Sequence, residues 1–208
     1  MVTGIKPNRS TRTKKMKYKI YKFEDIYPRR KEMKVLRARE KQRKDQDHSR
    51  WVFLDQKEEL VYKLWNKTYV RHNCLPLALE SAFYDERLIP AFYGLIYDQE
   101  GNCRGYIMRK CEKTQIKDAE LKAIFEVVKE NTKKTGLFAY DFCKENVMVY
   151  RNDKDSYQLT LIDLEGVYKV SDYKQKSDEH YNYLNISNNF IAFGDEYKEL
   201  IHELLRTN

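Results

Sequence analysis

Glycine is scarce in this chain of 208 residues. There are seven, with none between Gly4 and Gly94. A loop in that interval cannot bring bare backbone amides up to a phosphate in the way glycine-rich loops do. The four prolines and few glycines, set beside 13% aromatic residues, exclude a low-complexity disordered chain. The four cysteines (Cys74, Cys103, Cys111 and Cys143) form no C-x-x-C pair. The histidines (His48, His72, His180 and His202) form no spaced set. A zinc centre is therefore not expected, and reduced thiols in a cytoplasmic protein are. No run approaches the ~18 apolar residues of a membrane span. Met1-Val-Thr-Gly-Ile-Lys-Pro7 lacks the apolar core of a secretion signal.

What is present is unevenly spread. Residues 1–50 carry 18 Lys and Arg against 6 Asp and Glu, while residues 51–208 carry 22 against 26. The net charge of +8 thus belongs to the first quarter. Residues 1–16 are polar, basic and aperiodic, and read as a disordered tail. Residues 17–50 read as a basic extension. Lys17–Phe23 alternates as a weak strand, and a charged stretch from Tyr27 to Arg50 with Met33, Val35 and Leu36 on a narrow stripe is expected to be a solvated helix. Such a segment is most often simply solvated. Its functional alternative is an anionic partner, either nucleic acid or an acidic protein.

From residue 51 the pattern becomes regular. Trp51–Leu54 and Glu59–Trp65 read as strand, turn, strand. Leu75–Leu88 has helical composition. Ile89–Tyr97 and Arg104–Met108, around a turn at 98–102, give a second hairpin. Lys117–Thr135 places Leu121, Ile124, Phe125 and Val128 on one helical face, and Gly136 stops it. A short amphipathic helix over Glu196–Leu205 closes the chain.

Two strings carry chemistry. The first is Asp141-Phe-Cys-Lys-Glu-Asn146, followed by the apolar Val147-Met-Val-Tyr150. The second is Leu159-Thr-Leu-Ile-Asp163-Leu-Glu-Gly166. A hairpin between them brings Asn146 and Asp163 to neighbouring strand ends. An amide oxygen and a carboxylate suit a hard cation such as magnesium. Asp141 is placed to orient or deprotonate an attacking hydroxyl. Upstream, Leu60-Val-Tyr-Lys63-Leu is a strand with a central lysine in an apolar setting. Seventeen residues later Glu80 falls in the next helix, with Glu86 as runner-up. Read alone, Lys63 is a strand lysine whose stem lies along apolar surface, and Glu80 a solvated helix residue. Cys143 reads as a small packed residue.

Together these motifs resemble the protein-kinase-like superfamily and, more loosely, its small bacterial members such as the PhoP-regulatory-network and lipopolysaccharide-core kinases. The likeness covers roughly residues 51–170. It implies an α+β, two-lobed fold, with a small antiparallel-sheet lobe over 51–111 and a reduced helical lobe over 112–208. It further implies ATP and magnesium as cofactors, with an unidentified hydroxyl as acceptor. Lys63, oriented by Glu80, would grip the phosphates. Met108 to Cys111 would form the adenine hinge, and Lys144 would reach the γ-phosphate. Asp141 would be the base, and Asn146 and Asp163 the metal ligands.

The chain departs from that pattern in three places. The glycine-rich loop is missing. Ala139-Tyr140 stands where the family has His-Arg. Only 42 residues follow Gly166, without an A-P-E segment. These departures keep two rivals open: a pseudokinase binding module, and a nucleic-acid-associated protein that uses its basic N-terminus.

Overall fold

The computed structural model describes residues 16–38, 49–65, 74–139, 142, 144–152, 155–164, 166–171 and 194–207. The expected tail over 1–16 lies outside them except for Met16. The protein is α+β, and its largest element is a mixed six-stranded sheet. Chain contacts divide it into two compact units. One holds Lys17–Pro76 and Ala91–Cys111, and the other holds Leu77–Pro90 and Glu112–Asn208. Among the described residues, no helix is long and apolar enough to cross a membrane.

The sheet unit contains β1 (Lys19–Lys22), α1 (Phe23–Arg29), β2 (Lys34–Ala38), β3 (Ser49–Asp55), β4 (Leu60–Trp65), β5 (Phe92–Tyr97) and β6 (Cys103–Arg109). Its strand order is β1-β5-β6-β4-β3-β2. All pairs are antiparallel except β1 with β5, where Lys19 aligns with Gly94. Alternation on β4 buries Leu60, Tyr62 and Leu64 on one face. Phe53, Ile96 and Ile107 join them, and Ile26 of α1 and Met33 close the cluster. The β3–β4 turn manages without glycine because the Asp55 carboxylate accepts the Lys57 and Glu58 amides at 3.1 and 3.2 Å.

A solvated helix from Tyr27 to Arg50 does not form. α1 and one tight turn at Arg30–Glu32 end at Met33, which is extended and buried, and the chain then runs as the edge strand β2. An edge strand leaves Val35 and Leu36 about half exposed, so its charge pattern matches that of a solvated helix. The rest of that expectation, residues 39–48, lies outside the described residues.

The second unit is built on α3 (Asp118–Thr135). The Glu120 carboxylate accepts the Lys117 amide at 2.9 Å at its start. Gly136, in the left-handed region at φ 66°, ends it. Around α3 lie β7 (Leu137–Ala139), β8 (Val147–Arg151), β9 (Tyr157–Leu161), β10 (Val167–Lys169) and α4 (Gly194–Thr207). β10 pairs with β7 and β8 with β9, both antiparallel.

The expected helix over Leu75–Leu88 is shorter. α2 covers Leu75–Glu80 and is closed by Ala82 at φ 61°. Asp85 explains the stop. Buried at 5% exposure, it accepts the Arg87 amide and guanidinium and the Asn131 side chain. Asn131 also donates to the Phe83 carbonyl at 2.8 Å, and Arg87 reaches Glu130 at 2.9 Å. Those bonds fix residues 83–87 as a turn against α3, which continuing the helix would break.

Candidate magnesium–nucleotide site

The two motif strings meet through backbone pairing. Val147 faces Leu161 in the β8–β9 register. One step further the Ile162 amide donates to the Asn146 carbonyl at 2.9 Å, so Asn146 and Asp163 leave the hairpin side by side. Lys144–Asn146 is a single tight helical turn that carries the chain into β8. Two further ties hold the hairpin. The Leu161 amide donates to the Leu88 carbonyl at 2.7 Å, and Glu112 and Val149 exchange backbone bonds at 2.9 Å each. Asn146 and Asp163 are half-buried and line a concavity with Tyr84, Ala139, Phe142 and Gly166.

This pair fits magnesium in chemistry. It offers an amide oxygen and a carboxylate oxygen, and magnesium takes one or two protein oxygens while keeping water and phosphate for the remainder. No group of three His, Cys, Asp or Glu side chains that could hold a metal occurs among the described residues. Asp141 and Cys143 lie outside the described residues, while Phe142 between them is buried at 1% exposure.

The remaining sequence-predicted residues sit as follows. Lys63 is central on β4, half-buried, opposite Val52 and Tyr106, with its ammonium 5.7 Å from the Tyr106 ring centroid. Glu80 is the last residue of α2 and exposed, as is Glu86 in the turn beyond. Lys63 belongs to the sheet unit and Glu80 to the other. Lys144 is exposed, with its ammonium 3.5 Å from Asp118 at the start of α3.

Met108 is buried on β6 between Val61 and Phe92. In the expected hinge, two amides are already spent within the sheet unit. Arg109 donates to Ala91 at 2.8 Å and Lys110 to Glu59 at 2.7 Å. Burial pushes the Cys111 thiol up to about 12, so it stays neutral and unreactive. Cys111 contributes packing and a weak thiol bond to the Arg109 carbonyl at 3.2 Å.

Sequence reasoning missed the groups that hold this site from behind. The Tyr197 hydroxyl accepts the Ala139 amide at 3.1 Å and bonds the Thr132 hydroxyl at 3.0 Å. Its only local signal was the apolar stripe of α4, where Tyr197, Leu200 and Ile201 are buried. No protein-family model matches this chain, and no curated protein matches it.

Proposed function

We propose that this protein is an atypical kinase-like phosphotransferase that moves the γ-phosphate of ATP to an acceptor hydroxyl with magnesium. One observation carries the reading: a hydrogen-bonded hairpin sets Asn146 beside Asp163 in the lining of one concavity, five residues along the chain from Asp141. Asn146 and Asp163 would hold magnesium, whose chemistry there would be to offset charge on the phosphate oxygens. Asp141 orients the acceptor hydroxyl and takes its proton. Lys63, on the third strand of the antiparallel run β2-β3-β4, steadies the phosphates, with Glu80 as its orienting partner. The kinase-like, two-lobed description of the fold belongs to this proposal.

A pseudokinase is the second reading, favoured by a specific feature. No glycine occurs in residues 39–48, which join β2 to β3, where a phosphate-covering loop would fall in the kinase plan.

A thermal melt separates the two readings. With excess ATP and magnesium the wild type melts higher than with ATP alone, because a ligand bound only by the folded state stabilises it. The magnesium-dependent increment is lost in Asp163→Ala, and slow ATP turnover is lost in Asp141→Ala. No magnesium-dependent shift at millimolar ATP would sink phosphotransfer. A shift without turnover favours the pseudokinase.

A further inference from the structure

We propose that Tyr197 of α4 is a positioning residue for Ala139 and Phe142, the described residues on either side of Asp141 in the sequence. The inference rests on the phosphotransfer reading, but its geometry stands independently. From this one side chain, a direct bond runs to Ala139 and an indirect contact, through Phe125, runs to Phe142. On the upstream flank, the hydroxyl takes the Ala139 amide at 3.1 Å, two residues before Asp141. β7 pairs only with β10 among the described strands, so an amide turned away from β10 has no ladder partner. The Tyr197 hydroxyl supplies one.

Toward Phe142 the ring works through a relay. Tyr197 meets Phe125 edge-on, with centroids 5.6 Å apart at 81°. Phe125 stacks on Phe142 at 5.8 Å and 25°. Phe142 is the residue next to Asp141 and lies in the same concavity as Asn146 and Asp163. Tyr197, Phe125 and Phe142 are each exposed by no more than 1%. The contacts are therefore free of solvent competition, and side chains packed this closely transmit small displacements.

The hydroxyl is held as well as holding. It bonds the Thr132 hydroxyl at 3.0 Å, and the Thr132 carbonyl accepts the Gly136 amide at 2.9 Å at the point where α3 ends and β7 begins. Burial raises the phenol to about 12, against hydrogen bonds from Thr132 and Ala139 that lower it, so the O–H persists at any working pH. α4 is fastened to the same face by Lys129, which pairs with Glu196 one residue before Tyr197. The result is a helix that fixes the last residue of β7 and the seat of the Phe142 ring. Neither contact reaches the reacting atoms, so the action is through Ala139 and Phe142.

Tyr197→Phe keeps the ring and removes only the hydroxyl, and Thr132→Val removes the hydroxyl's other partner while keeping the Ala139 bond. Hydrogen–deuterium exchange is read on peptides covering 137–146 and, as reference, 147–161, alongside steady-state ATP turnover. In Tyr197→Phe, exchange over 137–146 rises by roughly tenfold while 147–161 is unchanged. Turnover falls by a similar factor with the KM for ATP held within about twofold, since positioning acts after binding. Thr132→Val, which leaves the Ala139 bond in place, gives a smaller change than Tyr197→Phe in both measurements.

Unchanged exchange over 137–146 in Tyr197→Phe overturns the assignment. Equal acceleration in the reference hairpin also overturns it, because that marks general loosening. Absence of ATP turnover in the wild type refutes phosphotransfer instead, and the exchange pattern then decides the anchoring by itself.

Discussion

The β5–β6 and β8–β9 hairpins each contain an arginine–aspartate pair, and the longer pair matters more. Asp98 and Arg104 are 3.3 Å apart with side chains 7% and 10% exposed. Asp98 also accepts the Asn102 amide at 2.8 Å, and Arg104 lies 4.5 Å over the Phe23 ring of α1. Arg151 and Asp155 are closer, at 2.7 Å, but 59% and 76% exposed. Water screens that pair and competes for both partners. The buried pair has no such substitute, and losing one member strands the other. Distance therefore does not rank these interactions. Burial and the number of bonds completed do.

The two hairpins also differ in the setting of their backbones. β5–β6 lies inside a six-stranded sheet, and a Cβ on Gly105 would come within 2.1 Å of the Lys63 carbonyl oxygen on β4. β8–β9 stands as a two-stranded piece held by ties to Leu88 and Glu112. One hairpin spends its polar groups on architecture. The other presents Asn146 and Asp163 at its end beside a concavity.

The largest expected effect follows from the backbone contact. Gly105→Ala forces β6 away from β4 and costs roughly 3 kcal/mol, read as a lower denaturant midpoint. Survival of the wild-type midpoint would show that the sheet gives way more easily than its register implies. Asp98→Ala comes next, at about 2 kcal/mol, because it leaves the buried Arg104 guanidinium without its carboxylate and undoes the turn.

That loss depends on pH. Burial works to raise the Asp98 pKa, but the bonds from Asn102 and Arg104 outweigh it and bring it below the ordinary 3.8. A depressed folded-state value means the stabilisation is complete above the unfolded value and is lost as pH falls through the folded one. The melting gap between wild type and Asp98→Ala is constant from neutral pH to about 5 and narrows below 3.8. A gap that persists at pH 2 would trace the effect to packing alone. The smallest effect is Arg151→Ala, which removes the shorter pair and leaves the melting temperature unchanged within experimental scatter. A measurable loss there would reverse the ranking by burial.

Local pattern was enough for much of the fold. The strands at 60–65, 92–97 and 103–109, the helix ended by Gly136, and the hairpin between Asn146 and Asp163 all follow from periodicity and turn residues that act over short spans. It misled where one pattern serves two structures. Charge over Tyr27–Arg50 suited a solvated helix and an edge strand equally, and the burial of Met33 chose the strand. Leu75–Leu88 kept helical composition past Glu80, while the break came from Asp85 binding Arg87 and Asn131 on a helix more than forty residues away. The Tyr197–Ala139 bond spans 58 residues, and no spacing rule reaches that far.

What the sequence by itself determined is the candidate chemistry: which carboxylates and amides stand near one another along the chain, and that a hairpin of this length returns Asp163 to Asn146. Tertiary structure decided which polar groups are consumed. It saturated Asp98 and Asp85, spent the Arg109 and Lys110 amides, silenced the Cys111 thiol and set the Tyr197 hydroxyl on the Ala139 amide. The reason is physical. Residue identity sets what a group can bond, but burial and long-range packing set which partners reach it before a ligand does.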